Sequence, residues 1–296
     1  MSDPSTTRHS IAHDGRQLQI ELTGPDDGPA VLFHTGTPSS GGPFVGWSRA
    51  GAERGVRHVF YSRPGYSSSD RARGRTVADC AGDVAAILDE LGIERFYNVG
   101  WSGGGPHALA CAALLGERVL ATTSIAGVAP FDAPGLDWLD GQGRDNVEEH
   151  GAALQGEQAL VEFLEPQAAG FAAATGAEIQ EAFGDLLSDA DRAAATGEFA
   201  DYLAASGAAA VTNGVWGWLD DDLAFVNDWG FDLASIKGPV AIWQGRHDRM
   251  VPFAHGGWLA AHVPGARAHL SEDDGHITLV TERYAAILDE LLALAG

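Results

Sequence analysis

The stretch Gly100-Trp101-Ser102-Gly103-Gly104 limits what this chain can fold into more than any other, because of what flanks it. Before it runs Glu94-Arg95-Phe96-Tyr97-Asn98-Val99, with the aromatic and β-branched residues of a strand. After it runs Pro106 to Leu115, rich in good helix formers. A serine therefore sits on a sharp strand-to-helix turn hemmed in by glycines. Only small neighbours leave room for such a turn, and the hydroxyl stands at a helix start where backbone N–H groups favour negative charge.

The surrounding pattern sets this turn in an α/β chain. Gln17–Leu22 alternates like a half-buried strand, Ala30–His34 is a continuous apolar run like a strand covered on both faces, and Val56–Tyr61 is another strand candidate. Apolar residues at Val77, Ala81, Val84, Leu88 and Leu91 follow helical spacing, and Gly92 stops that helix. A strand over Val119–Ile125 follows the elbow helix. Strands alternating with helices predict a mostly parallel twisted sheet with right-handed crossovers and helices on its flanks.

Near Ala129-Pro130 the rhythm changes to helical periodicity with almost no strand signal, including Gln158–Leu164, Glu178–Leu187 and Arg192–Leu203. Strand pattern returns at Gly238–Gln244. A helix from Phe253, a short strand near Ala268–Leu270 and a helix over Ile277–Leu294 follow. The expected division is a core of residues 1–129 and 235–296, interrupted by an all-helical cap of 130–234. An insertion there would lie over the carboxyl ends of the strands, where open α/β sheets place ligands.

A serine hydroxyl needs a base within reach and a third group to orient that base. His276, in Asp273-Asp274-Gly275-His276-Ile277, follows a predicted strand and opens the last helix. His9, His13 and His150 read as exposed, and His255 and His262 as helix-surface residues. The orienting acid is expected at the end of an earlier strand, and Asp248 in Gly245–Pro252 fits, with Asp132 as the rival. Developing oxyanion charge needs waiting donors. The N–H of Gly103 is one, and the loop His34-Thr35-Gly36-Thr37-Pro38 offers the second, Thr37 first and Gly36 next.

These stretches, with the turn Tyr61–Asp70, resemble the α/β-hydrolase-fold superfamily of serine-type hydrolases carrying a helical cap. The oxyanion loop of that superfamily usually reads His-Gly-x-Pro, whereas Thr35 here separates His34 from Gly36. The resemblance implies a serine esterase acting through Ser102, His276 and Asp248 on small or medium apolar or aromatic esters. Trp101, Val251, Ile277 and His34 are expected to line its substrate pocket. The same constellation would serve carbon–carbon bond hydrolysis of a diketone, a cofactor-free lyase or perhydrolase, or a small-ligand receptor. Ser102 excludes the branches with aspartate at the elbow, the haloalkane dehalogenases and epoxide hydrolases. A proline-iminopeptidase-like peptidase is a further alternative: those enzymes are similar in cap position, but use a different elbow sequence and hold a free amine with acidic cap residues, which the sequence does not place here, although Glu162, Glu165 and Glu198 are available.

Composition narrows the partners. A formal charge of −23, with Lys237 the only lysine among 18 basic residues, repels polyphosphate and disfavours nucleic acid and anionic membranes. No metal or cofactor is expected, since no ligand-spaced set or phosphate cradle is found. Cys80 and Cys111 read as buried free thiols, and the start of the chain lacks an apolar signal core, so a cytoplasmic monomer or homodimer is expected.

Overall fold

The computed structural model describes residues 3–295. Eight strands form one sheet: β1 Thr6–His13, β2 Arg16–Thr23, β3 Ala30–His34, β4 Arg57–Tyr61, β5 Phe96–Trp101, β6 Val119–Ile125, β7 Val240–Gly245 and β8 Arg267–Ser271. Their spatial order is β1-β2-β4-β3-β5-β6-β7-β8. β1 and β2 join antiparallel, as do β2 and β4, and the other pairs are parallel.

Burial explains the strand pattern. β3 is buried throughout because helices cover both faces of the sheet at its centre, and the alternation expected of a one-sided strand disappears. β1, which the sequence reading does not anticipate, is exposed at nearly every position and held by its ladder to β2. Its sequence TTRHSIAH buries Ile11 alone, too little periodicity to announce a strand.

Helices α1 Val45–Glu53, α2 Cys80–Glu90, α3 Gly104–Leu114, α10 Phe253–His262, α11 His276–Thr281 and α12 Tyr284–Leu294 accompany the sheet. Between β6 and β7, among the described residues, only helices occur: α4 Arg144–Gln155, α5 Glu157–Ala173, α6 Ile179–Ala182, α7 Asp189–Ala194, α8 Gly197–Ala210 and α9 Trp216–Phe225, with short 3-10 turns. Three expected helices are broken. The Glu178–Leu187 stretch breaks at Gly184 (φ 50°) and Arg192–Leu203 breaks before Gly197 (φ 54°), both backbone settings that glycine adopts freely. The last expected helix divides into α11 and α12.

Two large apolar clusters sandwich the sheet. One joins Leu18, Leu32, Val84, Leu88 and Leu109, and the other joins Val31, Phe33, Trp47, Val99 and Leu288. The helices between β6 and β7 have a third cluster of their own around Leu160, Leu164, Trp218 and Leu219, which also takes in Tyr66 from the loop after β4. No helix among the described residues is long and apolar enough to cross a membrane. Cys80 and Cys111 are buried and free, their sulfurs 4.0 Å apart.

Candidate active site

The turn after β5 is sterically compressed. Ser102 has φ 56°, a left-handed setting rare outside glycine, and its N–H donates to the Ile125 carbonyl at 2.9 Å. A Cβ on Gly100 would lie 2.2 Å from the Gly104 carbonyl oxygen, and one on Gly104 would lie 2.1 Å from that of His34. Glycine at both positions is therefore a packing requirement, and Ser102 takes the strain that lifts its hydroxyl out of the turn.

His276 opens α11 and is buried. Its Nδ1 lies 2.8 Å from Asp248 Oδ2, so Nδ1 carries the proton it donates to the carboxylate and Nε2 is left free to accept. Asp248 is held in turn. Its Oδ1 accepts from the Met250 and Val251 N–H groups, and its Oδ2 also accepts from Gln244 Nε2 at 3.0 Å. Burial opposes charge on the His276 ring, but the Asp248 carboxylate outweighs it and raises the imidazole above its ordinary value. Burial likewise raises Asp248, against the attraction of His276. Asp132, the rival acid, is exposed.

The sequence reading misses a carboxylate that fixes this helix. Asp191 of α7 accepts from the N–H groups of His276 (3.1 Å), Ile277 (2.7 Å) and Thr278 (3.3 Å). It caps α11 from an element 85 residues earlier in the chain. No local pattern could announce it, because a capping acid is ordinarily sought within the same turn.

The loop after β3 stands beside the serine. A Cβ on Gly36 would come within 3.3 Å of Ser102 Cβ, and one on Gly103 within 2.4 Å of Thr37 Oγ1. A buried ionic network pins this loop. Arg63 donates to the carbonyls of Thr35 (2.6 Å) and Gly36 (2.9 Å), to Thr37 Oγ1 (2.9 Å) and to Asp221 of α9 (2.6 Å). Thr37 and Tyr66 donate to the same Asp221 carboxylate, and Arg75 pairs with it at 2.7 Å. Burial alone would raise Asp221, but the two guanidiniums hold it far below the usual carboxylate range.

Two cavities meet at Ser102. One, partly open to solvent, is lined by Ser102, Thr37, Gly103 and Val251 of the core, by Phe163, Phe171, Trp218 and Phe225, and by Asp145, Glu149 and Asp222. The other is lined by Ser102, Gly36, Trp101, His276 and Ile277 with Phe183, Tyr202 and Leu203. The structure thus brings Ser102 and His276 to one cavity, although the ring of His276 is hydrogen-bonded to Asp248 and not to the serine. Such contacts often tighten only once substrate is bound.

Several expectations need correction. His34 lines neither cavity. It is fully buried behind the loop with Nδ1 3.3 Å from the Tyr61 hydroxyl, because Thr35 and Gly36 carry the chain past the serine instead. His150 is buried in the cavity wall, bonded to Gln142, and His255 is buried between the Trp138 carbonyl and the Ala129 N–H. Glu162, Glu165 and Glu198 are exposed, and the acids that reach the cavity are Asp145, Glu149 and Asp222.

A family profile described as "alpha/beta hydrolase fold" matches residues 29–282. The 2-hydroxy-6-oxononadienedioate/2-hydroxy-6-oxononatrienedioate hydrolase of Burkholderia vietnamiensis is 26% identical over 293 aligned residues, covering 93% of this chain and 91% of that protein. A bifunctional esterase/perhydrolase of Acinetobacter calcoaceticus is 31% identical over 120 residues, 40% of this chain and 44% of that one. Among solved structures, an esterase from Exiguobacterium antarcticum superposes with a TM-score of 0.69 at 20% identity, over 97% of this chain and 100% of that one.

Proposed function

The chain belongs to the alpha/beta hydrolase fold family, and within it we propose a serine esterase acting on small or medium carboxylic esters with an apolar or aromatic part. One observation carries the reading. A hydroxyl on a strained turn shares a cavity with an imidazole whose far nitrogen is locked to a buried, fully bonded carboxylate.

The chemistry follows from those positions. Ser102 Oγ attacks the ester carbonyl as His276 Nε2 takes its proton. The new imidazolium is stabilised by Asp248. Negative charge on the former carbonyl oxygen is received by the N–H groups of Gly103 and Thr37, with Gly36 as the alternative donor. Collapse of the tetrahedral adduct breaks the C–O bond, and the departing alkoxide takes the proton from His276. Water then attacks the acyl-Ser102 ester, giving its proton to His276, and the acid departs with Ser102 restored.

The two cavities divide the labour. The leaving alcohol must receive its proton from His276, so it occupies the cavity His276 lines. The acyl group then extends into the other, beside Gly103 and Thr37. Residues 130–234 act as a cap, since α5 supplies a ring to both cavities, α9 rings to the acyl cavity and α8 a ring to the other.

Carbon–carbon hydrolysis of a diketone is the second reading, favoured by the near full-length similarity to the nonadienedioate hydrolase. Against a dicarboxylate substrate stands the lining itself: no arginine or lysine lines either cavity, and three carboxyl groups line one of them. The deciding experiment is a panel of p-nitrophenyl and aryl esters of increasing acyl length, run beside vinylogous diketo acids. Turnover of esters alone is expected, and turnover of the diketo acids alone would replace the esterase reading.

A further inference from the structure

The helix α9 carries Asp220, Asp221 and Asp222 in succession, and all three are buried. Successive helical residues point about 100° apart, so each meets a different neighbour. Asp220 takes a bidentate pair from Arg71 at 2.8 Å, and Asp221 takes Arg63 and Arg75. Asp222, 1% exposed, has no cationic partner left to it. Its Oδ2 has no hydrogen-bond partner, and it lines the cavity that Ser102 and Gly103 share.

Facing it is Glu149 of α4, with oxygens of the two carboxyls and a ring nitrogen of His150 all within 4.8 Å of one another. Trp218 Nε1 donates to Glu149 Oε1 at 2.8 Å and to nothing on Asp222. Two ionised carboxyls are both acceptors, so only a proton or a cation between them satisfies the pair. Asp145 adds a third carboxyl to the same wall. Phe163, Phe171 and Phe225 supply aromatic faces, which stabilise an organic cation. Phe225 lies one turn along α9 from Asp222 and its ring approaches Gly103, the residue after the reacting serine, so the carboxyl pair and Ser102 line the same cavity.

We propose that Glu149 and Asp222 form a subsite for an ammonium group on the acyl part of the substrate, so that the preferred esters are those of amino acids. The inference rests on the serine esterase reading for the placement of the acyl group. The carboxyl pair itself does not depend on it. Burial followed by mutual repulsion raises Asp222 well above its ordinary value, and burial pushes Glu149 up to about 7. Both shifts favour a proton on the pair when no cation is present, and an entering ammonium would take its place as that proton leaves to solvent.

The test compares matched esters on the wild-type chain: L-phenylalanine ethyl ester against ethyl 3-phenylpropanoate, and methyl 6-aminohexanoate against methyl heptanoate. In at least one pair kcat/KM favours the ammonium ester by about 10- to 100-fold, the range of a hydrogen bond to a charged group. That ratio falls towards one in Asp222→Asn and in Glu149→Gln. Calorimetry separates the subsite from the chemistry: hexylammonium chloride binds the wild-type chain and 1-hexanol binds more weakly by a similar factor. Ratios at or below one in both pairs, with esters still cleaved, overturn the subsite and leave the esterase reading standing. No cleavage of any ester, with hexylammonium bound, overturns the esterase reading and leaves the subsite. One equivalent of Zn²⁺ bound through these residues, with no affinity for hexylammonium, overturns the subsite in favour of a metal.

Discussion

The floor of the cavity and its helical roof treat buried charge in opposite ways. On the floor the charges that shape the site are met by partners. Asp248 has His276, Gln244 and two backbone N–H groups, and the loop after β3 is held by Arg63. In the roof, Asp221 is neutralised twice by arginines from the sheet side, while its chain neighbour Asp222 is left with an unpartnered oxygen. A residue with its partners built in holds a shape; a residue without them is available to something that arrives. The contrast separates positioning from recognition without any reference to residue type, since both are aspartates.

The largest effect expected is on the floor. Ser102→Ala should lower p-nitrophenyl ester hydrolysis by about 10⁴-fold or more, and Asp248→Asn should approach the same size through misorientation of the imidazole. Steady-state kinetics with an unfolding curve for each variant checks both. The pH profile sharpens the point. Charging of His276 is favoured by Asp248, so the acid limb of kcat/KM should have its midpoint above the ordinary imidazole value of about 6.5. A limb below that value would mean the pair does not control the base.

Next comes the contrast within the roof. Asp221→Asn removes one side of a buried ion pair and strands Arg63 and Arg75, for an expected loss of about 3–5 kcal/mol by chemical denaturation. Asp222→Asn should cost far less or stabilise, since it removes a carboxyl that burial penalises. Their pH dependence differs in sign. Asp221, depressed when folded, contributes stability present above the ordinary carboxylate value and lost as pH falls below it. Glu149, raised when folded, makes the unfolded chain release its proton first, so stability falls as pH rises from about 4.5 to about 7. Glu149→Gln should flatten that fall in a series of melting curves. Equal losses at Asp221 and Asp222 would erase the comparison.

A smaller effect than that at Asp221 is expected at Asp191. Replacement by alanine should remove about 1 kcal/mol of capping and lower kcat more than it raises KM, because α11 carries His276 but touches little of the acyl cavity. A change confined to KM would contradict that role.

The sequence made the sheet and the elbow legible because their constraints are local. The glycines around Ser102, the apolar run of β3 and the helical period before Gly92 each report on their own few residues. His276 and Asp248 could be found because each follows a strand end, and strand ends can be located. The network around Arg63 and the carboxyls of α9 could not. Three consecutive aspartates carry no local sign of burial, and the arginines that bury two of them lie some 150 residues earlier. A Trp-Gly-Trp-Leu segment just before them was the available clue, since a helix that apolar is rarely exposed. His34 and His150 misled for the reverse reason: burial of a lone histidine depends on neighbours that periodicity does not name.

Fluorophosphonate labelling followed by peptide mass spectrometry tests the nucleophile most directly. A single phosphonyl adduct on the peptide containing Ser102, absent in Ser102→Ala and slowed in Asp248→Asn, is the result expected. An unlabelled Ser102 in a folded chain that still cleaves esters would contradict the account.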